Sequence, residues 1–188
     1  MNMLFVRPAI AVTFLGLVGG CATSPADEPA AQARGQRTAA AGLCSAGETP
    51  LFQCRIGAEQ VAVCGGRSAS GQSYAQYRSE QPGAVTMSYP AGREGGAGNM
   101  VRASIPYSGG GEAQFHFTNQ GDHTIVYSRV VRTGFGTTNN PQFSAGVAVR
   151  RGGRLVSDRA CSDGDSANVD LGAAEPFVPE GAPARFDD

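Results

Sequence analysis

Between residues 50 and 160 the chain is a succession of short apolar runs of period two, each closed by Gly, Pro, Asn or Asp. Side chains alternate between the two faces of a strand, so these runs read as half-buried strands rather than helices. They fall at 51–56, 60–64, 73–79, 84–89, 100–107, 112–118, 123–131, 143–150 and 154–160. The alternation is plainest in Ala113-Gln114-Phe115-His116-Phe117, which puts both Phe on one face. Asn119-Gln120-Gly121-Asp122 separates that run from His123–Tyr127, and Gly152-Gly153 separates 146–151 from 154–158. Such turn residues supply the positive φ that two-residue hairpins demand. Sequential strands with short turns predict an all-β antiparallel meander of about eight to nine strands, closed as a barrel or folded as a sandwich. The 27 Gly and the absence of Trp suit that class better than a helical bundle.

Ahead of the β region the chain changes character. Arg7 and the run Ala9–Val18 have the charge and length of a secretory signal, and the run is too short to span a bilayer as a helix. Val18-Gly19-Gly20-Cys21 resembles the lipobox of bacterial lipoproteins. That resemblance implies lipidation of Cys21 after removal of residues 1–20. With Ala22 rather than Asp next in line, it also implies outer-membrane delivery facing the periplasm. A secreted or soluble periplasmic form is the alternative. Residues 21–42, rich in Ala, Pro and polar side chains, lack any hydrophobic period and read as a disordered tether. The expected organisation is signal 1–20, tether 21–42, β domain 43–170 and a loosely structured tail 171–188, on which Phe177 and Val178 could dock.

Setting Cys21 aside leaves Cys44, Cys54, Cys64 and Cys161, an even set in an exported chain, which favours two disulfides. Sequence allows three pairings. If Phe52, Cys54 and Ile56 share a face with Val61 and Val63, Cys64 points the other way, which disfavours Cys54–Cys64. One bridge within Cys44, Cys54 and Cys64 and one reaching Cys161 is therefore expected. The spacings do not match the close Cys pairs of structural zinc sites, and no metal or other cofactor is expected.

Chemistry-bearing residues are sparse. A formal net charge of −1, with scattered Arg and no Lys, gives no case for nucleic acid as a partner. The chain has two His, His116 and His123. His116 alternates with Phe115 and Phe117 and should face solvent. Asp122 adjoins His123 on the same strand and so points to the opposite face, which argues against a triad with a Ser. Gly66-Arg67-Ser68-Ala69-Ser70 lacks the final Gly of a nucleophile elbow. Asp163–Asp170 is acidic but departs from the calcium-loop order, and reads as a solvated loop. Thr133–Asn139, with Gly134-Phe135-Gly136, reads as an exposed loop between strands and not as a dinucleotide site. No catalytic residue is assigned, and an enzyme is not expected.

Leu51-Phe52-Gln53-Cys54, Val61-Ala62-Val63-Cys64 and Tyr74-Ala75-Gln76-Tyr77-Arg78 occur in the order seen in a group of small exported proteobacterial proteins. Ser108–Gly111, Thr124–Ser128, Gly146–Val149 and Cys161 continue the match, so the chain resembles that group over most of 44–161. It departs at Ser79-Glu80, where many of them have Phe-Gly. The resemblance implies export and the β fold, and brings no activity. A second likeness, carried by Ser68-Ala69-Ser70-Gly71-Gln72-Ser73-Tyr74, is to the small periplasmic lysozyme inhibitors. The leading expectation is a non-enzymatic binding or structural module, with a lipid anchor in the membrane and an envelope protein or glycan as partner. The alternative is an inhibitor of a cell-wall hydrolase, and a small hydrolase comes third.

Overall fold

A computed structural model describes residues 42–82, 84–132 and 140–186. The expected signal, tether and lipid-acceptor Cys21, and the loop containing Gly134-Phe135-Gly136, lie outside those residues. Nine antiparallel strands form two sheets. The first holds β1 (Thr49–Ile56), β2 (Glu59–Arg67), β3 (Ser73–Gln81) and β4 (Ala84–Tyr89) in sequence order. The second holds β5 (Val101–Tyr107), β6 (Gly110–Asn119), β7 (Asp122–Arg132), β8 (Pro141–Arg151) and β9 (Arg154–Ala160), again in order. No strand of one sheet pairs with a strand of the other, so the meander is a sandwich and not a closed barrel.

The period-two pattern decides which face meets the other sheet. Phe52 pairs with Val63 and Cys54 with Val61, and Val63 pairs in turn with Tyr77, so these side chains share the inner face of the first sheet. Phe115 and Phe117 of β6 lie beside Val126 and Thr124 of β7 on the inner face of the second. The Tyr89 ring stacks on Phe117 at 4.4 Å between centroids, and Tyr77 lies 5.4 Å from the same ring, which ties the sheets together. Turn chemistry follows the sequence: Gly152 and Gly153 adopt φ of 57° and 80°, as the tight β8–β9 hairpin requires.

Two disulfides close the fold, Cys44–Cys64 and Cys54–Cys161. The first falls within the N-terminal trio and the second reaches the far end of the domain, as expected. The second joins the inner face of the first sheet to the residue just after β9, across a sequence separation of 107. Restricting the unfolded chain over so long a loop contributes on the order of 4–5 kcal/mol.

The tail differs from its expected loose state. Asp170 caps the short helix α1 (Leu171–Ala174) by accepting from Ala173 N at 2.8 Å. α1 packs against both β1 and β5, and Ala174 and Val178 are buried in the main core. Phe177 lies against Gly65 so closely that a Cβ there would meet its ring at 2.5 Å, so only glycine fits. Beyond Phe177 the chain joins the edge of β5, where Arg102 N donates to Pro179 O at 2.9 Å and Gly181 N to Arg102 O at 3.0 Å. Local sequence hid this order, because the tail has no period of its own and is fixed by contacts with strands far away in the chain.

Candidate functional site

Among the described residues several places combine exposed or recessed surface with polar side chains, and three of them bear on function. The first is the outer face of the first sheet. Alternation that sends Ala75 and Tyr77 inward sends Tyr74, Gln76 and Arg78 outward, onto the side occupied by Cys64. The Cys44–Cys64 bridge holds residues 42–48 over this row and lowers Glu48 onto it. Arg78 grips the Glu48 carboxylate with both terminal nitrogens at 2.6 Å, and their side chains are only 7% and 4% exposed. Arg78 also donates to Leu43 O at 2.7 Å and to Gln76 Oε1 at 2.8 Å, while the Tyr74 hydroxyl donates to Glu48. Burial alone would raise the Glu48 carboxyl, but hydrogen bonds from Arg78, Tyr74 and Ser45 N–H outweigh it and hold it at about 2. From the 90–99 loop, Arg93 adds a second ion pair to Glu48 at 3.3 Å and Pro90 O accepts from Gln76 Nε2 at 2.7 Å, so the cluster clamps the N-terminal segment to both β3 and that loop.

Beside the clamp, the β2–β3 turn is stiffened by its own hydroxyls. Ser68 Oγ and Ser70 Oγ lie 2.8 Å apart, Ser70 donates to Glu94 at 2.6 Å, and Arg67 donates to Gly71 O at 3.1 Å. Ser70, Gly71 and Gln72 are exposed. The loops 68–72 and 90–99 therefore meet, and present one ordered rim.

The second place is one end of the sandwich, lined by β5–β8 and residues 164–168 with no residue of the first sheet among the lining. A cavity of about 510 Å³ lies between the second sheet and residues 164–168. Ile105, Pro106, Val130 and Phe143 line it with apolar surface, and Ser104, Ser144, Asp165 and Asn168 bring polar groups to the same space. Phe143 is 52% exposed, a large aromatic ring left open to solvent. The 163–170 segment that forms this wall is not the freely solvated loop its composition suggests. Asp163 accepts from Arg55 N at 3.1 Å, Asp170 caps α1, and Ser128 Oγ accepts from Val169 N at 3.0 Å. Two of its carboxylates thus serve the fold, on separate partners, and do not converge on a cation.

The third place is the outer face of the second sheet, across which residues 180–186 lie as an extended strap. Gln114, fully buried, donates to Ala184 O and accepts from Ala184 N, each at 3.0 Å. His116 Nε2 meets Ala182 O at 2.9 Å, Arg150 donates to Arg185 O at 2.8 Å, and Phe186 packs edge-on against Tyr127 at 5.3 Å. His116 is on the outward face of its strand as expected, but the strap half-buries it. His123 lies 5.0 Å away between ring centroids, its Nδ1 held at 3.1 Å from the Thr118 hydroxyl. Burial lowers the pKa of both rings; for His123 the neighbouring His116 and Arg150 add to it, and for His116 the Ala182 carbonyl opposes it. Asp122 is engaged by Arg151 at 2.6 and 2.7 Å and orients neither imidazole.

The sequence reading located the disulfide cysteines, and the structure pairs all four. The two metal-like groupings among the described residues, Cys44–Glu48–Cys64 and Cys54–Cys161–Asp163, each consist of a disulfide and one carboxylate, so no thiolate is free to ligate. Sequence reading missed the Glu48 clamp, the cavity beside residues 164–168 and the strap. One signal for the clamp was available: Tyr74, Gln76 and Arg78 form an outward row on a strand next to one whose Cys64 faces the same way. No protein-family model, curated protein or solved structure matches this chain.

Proposed function

We propose that this protein is a non-enzymatic binding module of the cell envelope, exported and tethered through a lipid on Cys21. Its partner is an envelope glycan, taken up at the end of the sandwich beside residues 164–168. The observation that carries this reading is the 510 Å³ cavity, in which the half-exposed Phe143 sits beside hydroxyl, amide and carboxylate side chains. A sugar ring offers hydroxyls at its edge and apolar C–H groups on its faces, so a ring platform flanked by Ser144, Asp165 and Asn168 matches both. Binding pockets commonly combine an apolar lining with a few placed polar groups. The two disulfides are compatible with the oxidising compartment that export implies. Titration calorimetry with soluble peptidoglycan fragments tests it. Binding that Phe143→Ala weakens at least ~10-fold is expected, since a buried aromatic contact is worth over 1 kcal/mol. Absence of binding, or binding indifferent to that substitution, would overturn the reading. Mass spectrometry of the mature N-terminus tests the anchor separately, and an unmodified end, or one beginning beyond Cys21, would remove it.

A second reading, inhibition of a cell-wall hydrolase, is favoured by the β2–β3 turn. Its exposed tip is held by the Ser68–Ser70–Glu94 hydrogen bonds, and a stiff protruding loop loses little entropy on entering a cleft. Lysozyme turnover unchanged by micromolar purified domain would exclude this reading.

A further inference from the structure

The strap over the second sheet is held mainly through its backbone. The sheet engages Ala182 O, Ala184 N and O, and Arg185 O. The ring contacts from the strap come from Phe186, against Tyr127 and under the Arg129 guanidinium at 5.3 Å. A surface that reads extended backbone in this way accepts many sequences, with specificity left to a few side-chain positions.

Two further observations point to an occupant other than the tail. A cavity of about 360 Å³ remains beside the strap, edged by Ile105, Tyr107, Leu155 and Phe186. Arg129, Asp158 and Arg185 bring charge to the same space, and residues 180–186 leave it unfilled. Beneath the strap, His123 Nε2 and Arg150 Nε are buried with no hydrogen-bond partner. These two residues form a directly opposed cross-strand pair, so their unmet groups belong to one spot on the sheet. Buried polar atoms are almost always paired, and a matched pair of unmet ones marks a place where a partner belongs.

The charges around that spot favour an anion. Arg150 gives its terminal nitrogens to the carbonyls of Arg185 and Gly153, which carry no net charge. His116 faces His123 from β6, and Arg185 belongs to the strap itself. Of the other charged groups on the face, Arg129 is neutralised by Glu112, and Asp158 accepts from the Tyr127 hydroxyl; Arg151 and Asp122, next along their strands, pair with each other on the opposite face. A carboxylate placed between Arg150 and His123 would meet both orphaned atoms.

We propose that the outer face of β5–β9 is a binding groove for an extended peptide carrying an acidic side chain, and that the chain's own tail occupies it as a weaker, built-in competitor. The groove lies on the outer face of the second sheet, and its cavity shares Ile105 and Arg129 with the lining of the cavity beside residues 164–168.

Calorimetry on the full oxidised chain tests this with synthetic peptides. The reference is Gly-Ala-Pro-Ala-Arg-Phe, identical to residues 181–186; its companions carry Gly181→Glu, Ala182→Glu, Pro183→Glu or Ala184→Glu. At least one Glu peptide is expected to bind ~10-fold tighter than the reference, as one charge-assisted contact allows. Phe186→Ala in the protein weakens the competitor and should tighten every peptide several-fold, because apparent affinity scales with the open fraction. Arg150→Ala should reduce the preference for Glu to less than ~2-fold, since the charge-assisted partner is gone. Hydrogen exchange at the Ala184 amide supplies a readout that does not depend on any variant folding: bound peptide must displace the tail and deprotect it. Failure of all peptides to bind either protein would overturn the proposal. So would a Glu preference that survives Arg150→Ala, or binding that leaves the Ala184 amide protected.

Discussion

The two outer faces of this sandwich are covered in opposite ways. Over the first sheet, residues 42–48 are fastened by the Cys44–Cys64 disulfide and by the buried Glu48–Arg78 pair, whose hydrogen bonds are met within the cluster. Over the second sheet, residues 180–186 are held by scattered hydrogen bonds and one aromatic side chain, with an unfilled cavity and two unmet polar atoms beneath. A buried ion pair with a covalent bridge beside it cannot open without leaving a charge stranded in apolar surroundings. A strap held through its backbone can leave while water replaces its partners. The first cover is therefore part of the fold, and the second behaves as a ligand.

The sharpest way to break that contrast is to remove one side of the clamp. Arg78→Ala leaves the Glu48 carboxylate buried without its main partner and should destabilise the protein by about 3–5 kcal/mol in denaturant unfolding. An effect below about 1 kcal/mol would reduce the clamp to an ordinary surface pair. Acid acts on the same pair. The Glu48 carboxyl is held at about 2 in the folded protein against an ordinary 4.5. Its contribution is therefore complete above pH 4.5 and fades as pH falls towards 2, by on the order of 3 kcal/mol. Thermal unfolding followed down that range should show the loss, and Glu48→Gln should flatten it.

The strap responds at a different pH and on a smaller scale. Both imidazoles have lowered pKa values in the folded state, so their contribution is present above their ordinary 6.5 and is lost as pH falls below it. Acidification below pH 6.5 should accordingly loosen residues 180–186 while the clamp, set by Glu48, stays closed. Trypsin cleavage after Arg185, compared with a free peptide at the same pH, reads this directly. The smallest expected effect is that of Phe186→Ala on global stability. Loss of a peripheral ring from a locally opening segment should change it by less than ~1 kcal/mol while speeding that cleavage. A global loss of several kcal/mol would make the tail as integral as the clamp.

Much of the fold was legible because strands declare themselves locally. All nine runs of alternating side chains became strands, and Gly152-Gly153 formed the hairpin turn that its φ freedom suits. The facing of Cys54 and Cys64 followed from the same period, which is why one disfavoured pairing could be named in advance. The covers were not legible, for a physical reason. Glu48 and Arg78 are separated by 30 residues, and each alone resembles a solvated charge. The strap is held in part by Gln114, 70 residues away, and that leaves no trace in a segment rich in Pro, Ala and Gly. His116 lies on the face that its alternation with Phe115 and Phe117 predicts, but nothing nearby in sequence announces that Ala182 lies over it. Whether a sandwich or a barrel formed depended on two sheets whose strands do not pair with each other, and no residue pattern encodes that absence.

Native-state hydrogen exchange at two amides tests the contrast between the covers most directly. Ser45 N–H donates to Glu48 in the clamp, and Ala184 N–H donates to Gln114 under the strap. Exchange at Ala184 is expected to proceed by local opening, at least ~100-fold faster relative to its intrinsic rate than exchange at Ser45, and to accelerate below pH 6.5. Equal protection at both amides, rising and falling together with global stability, would contradict it.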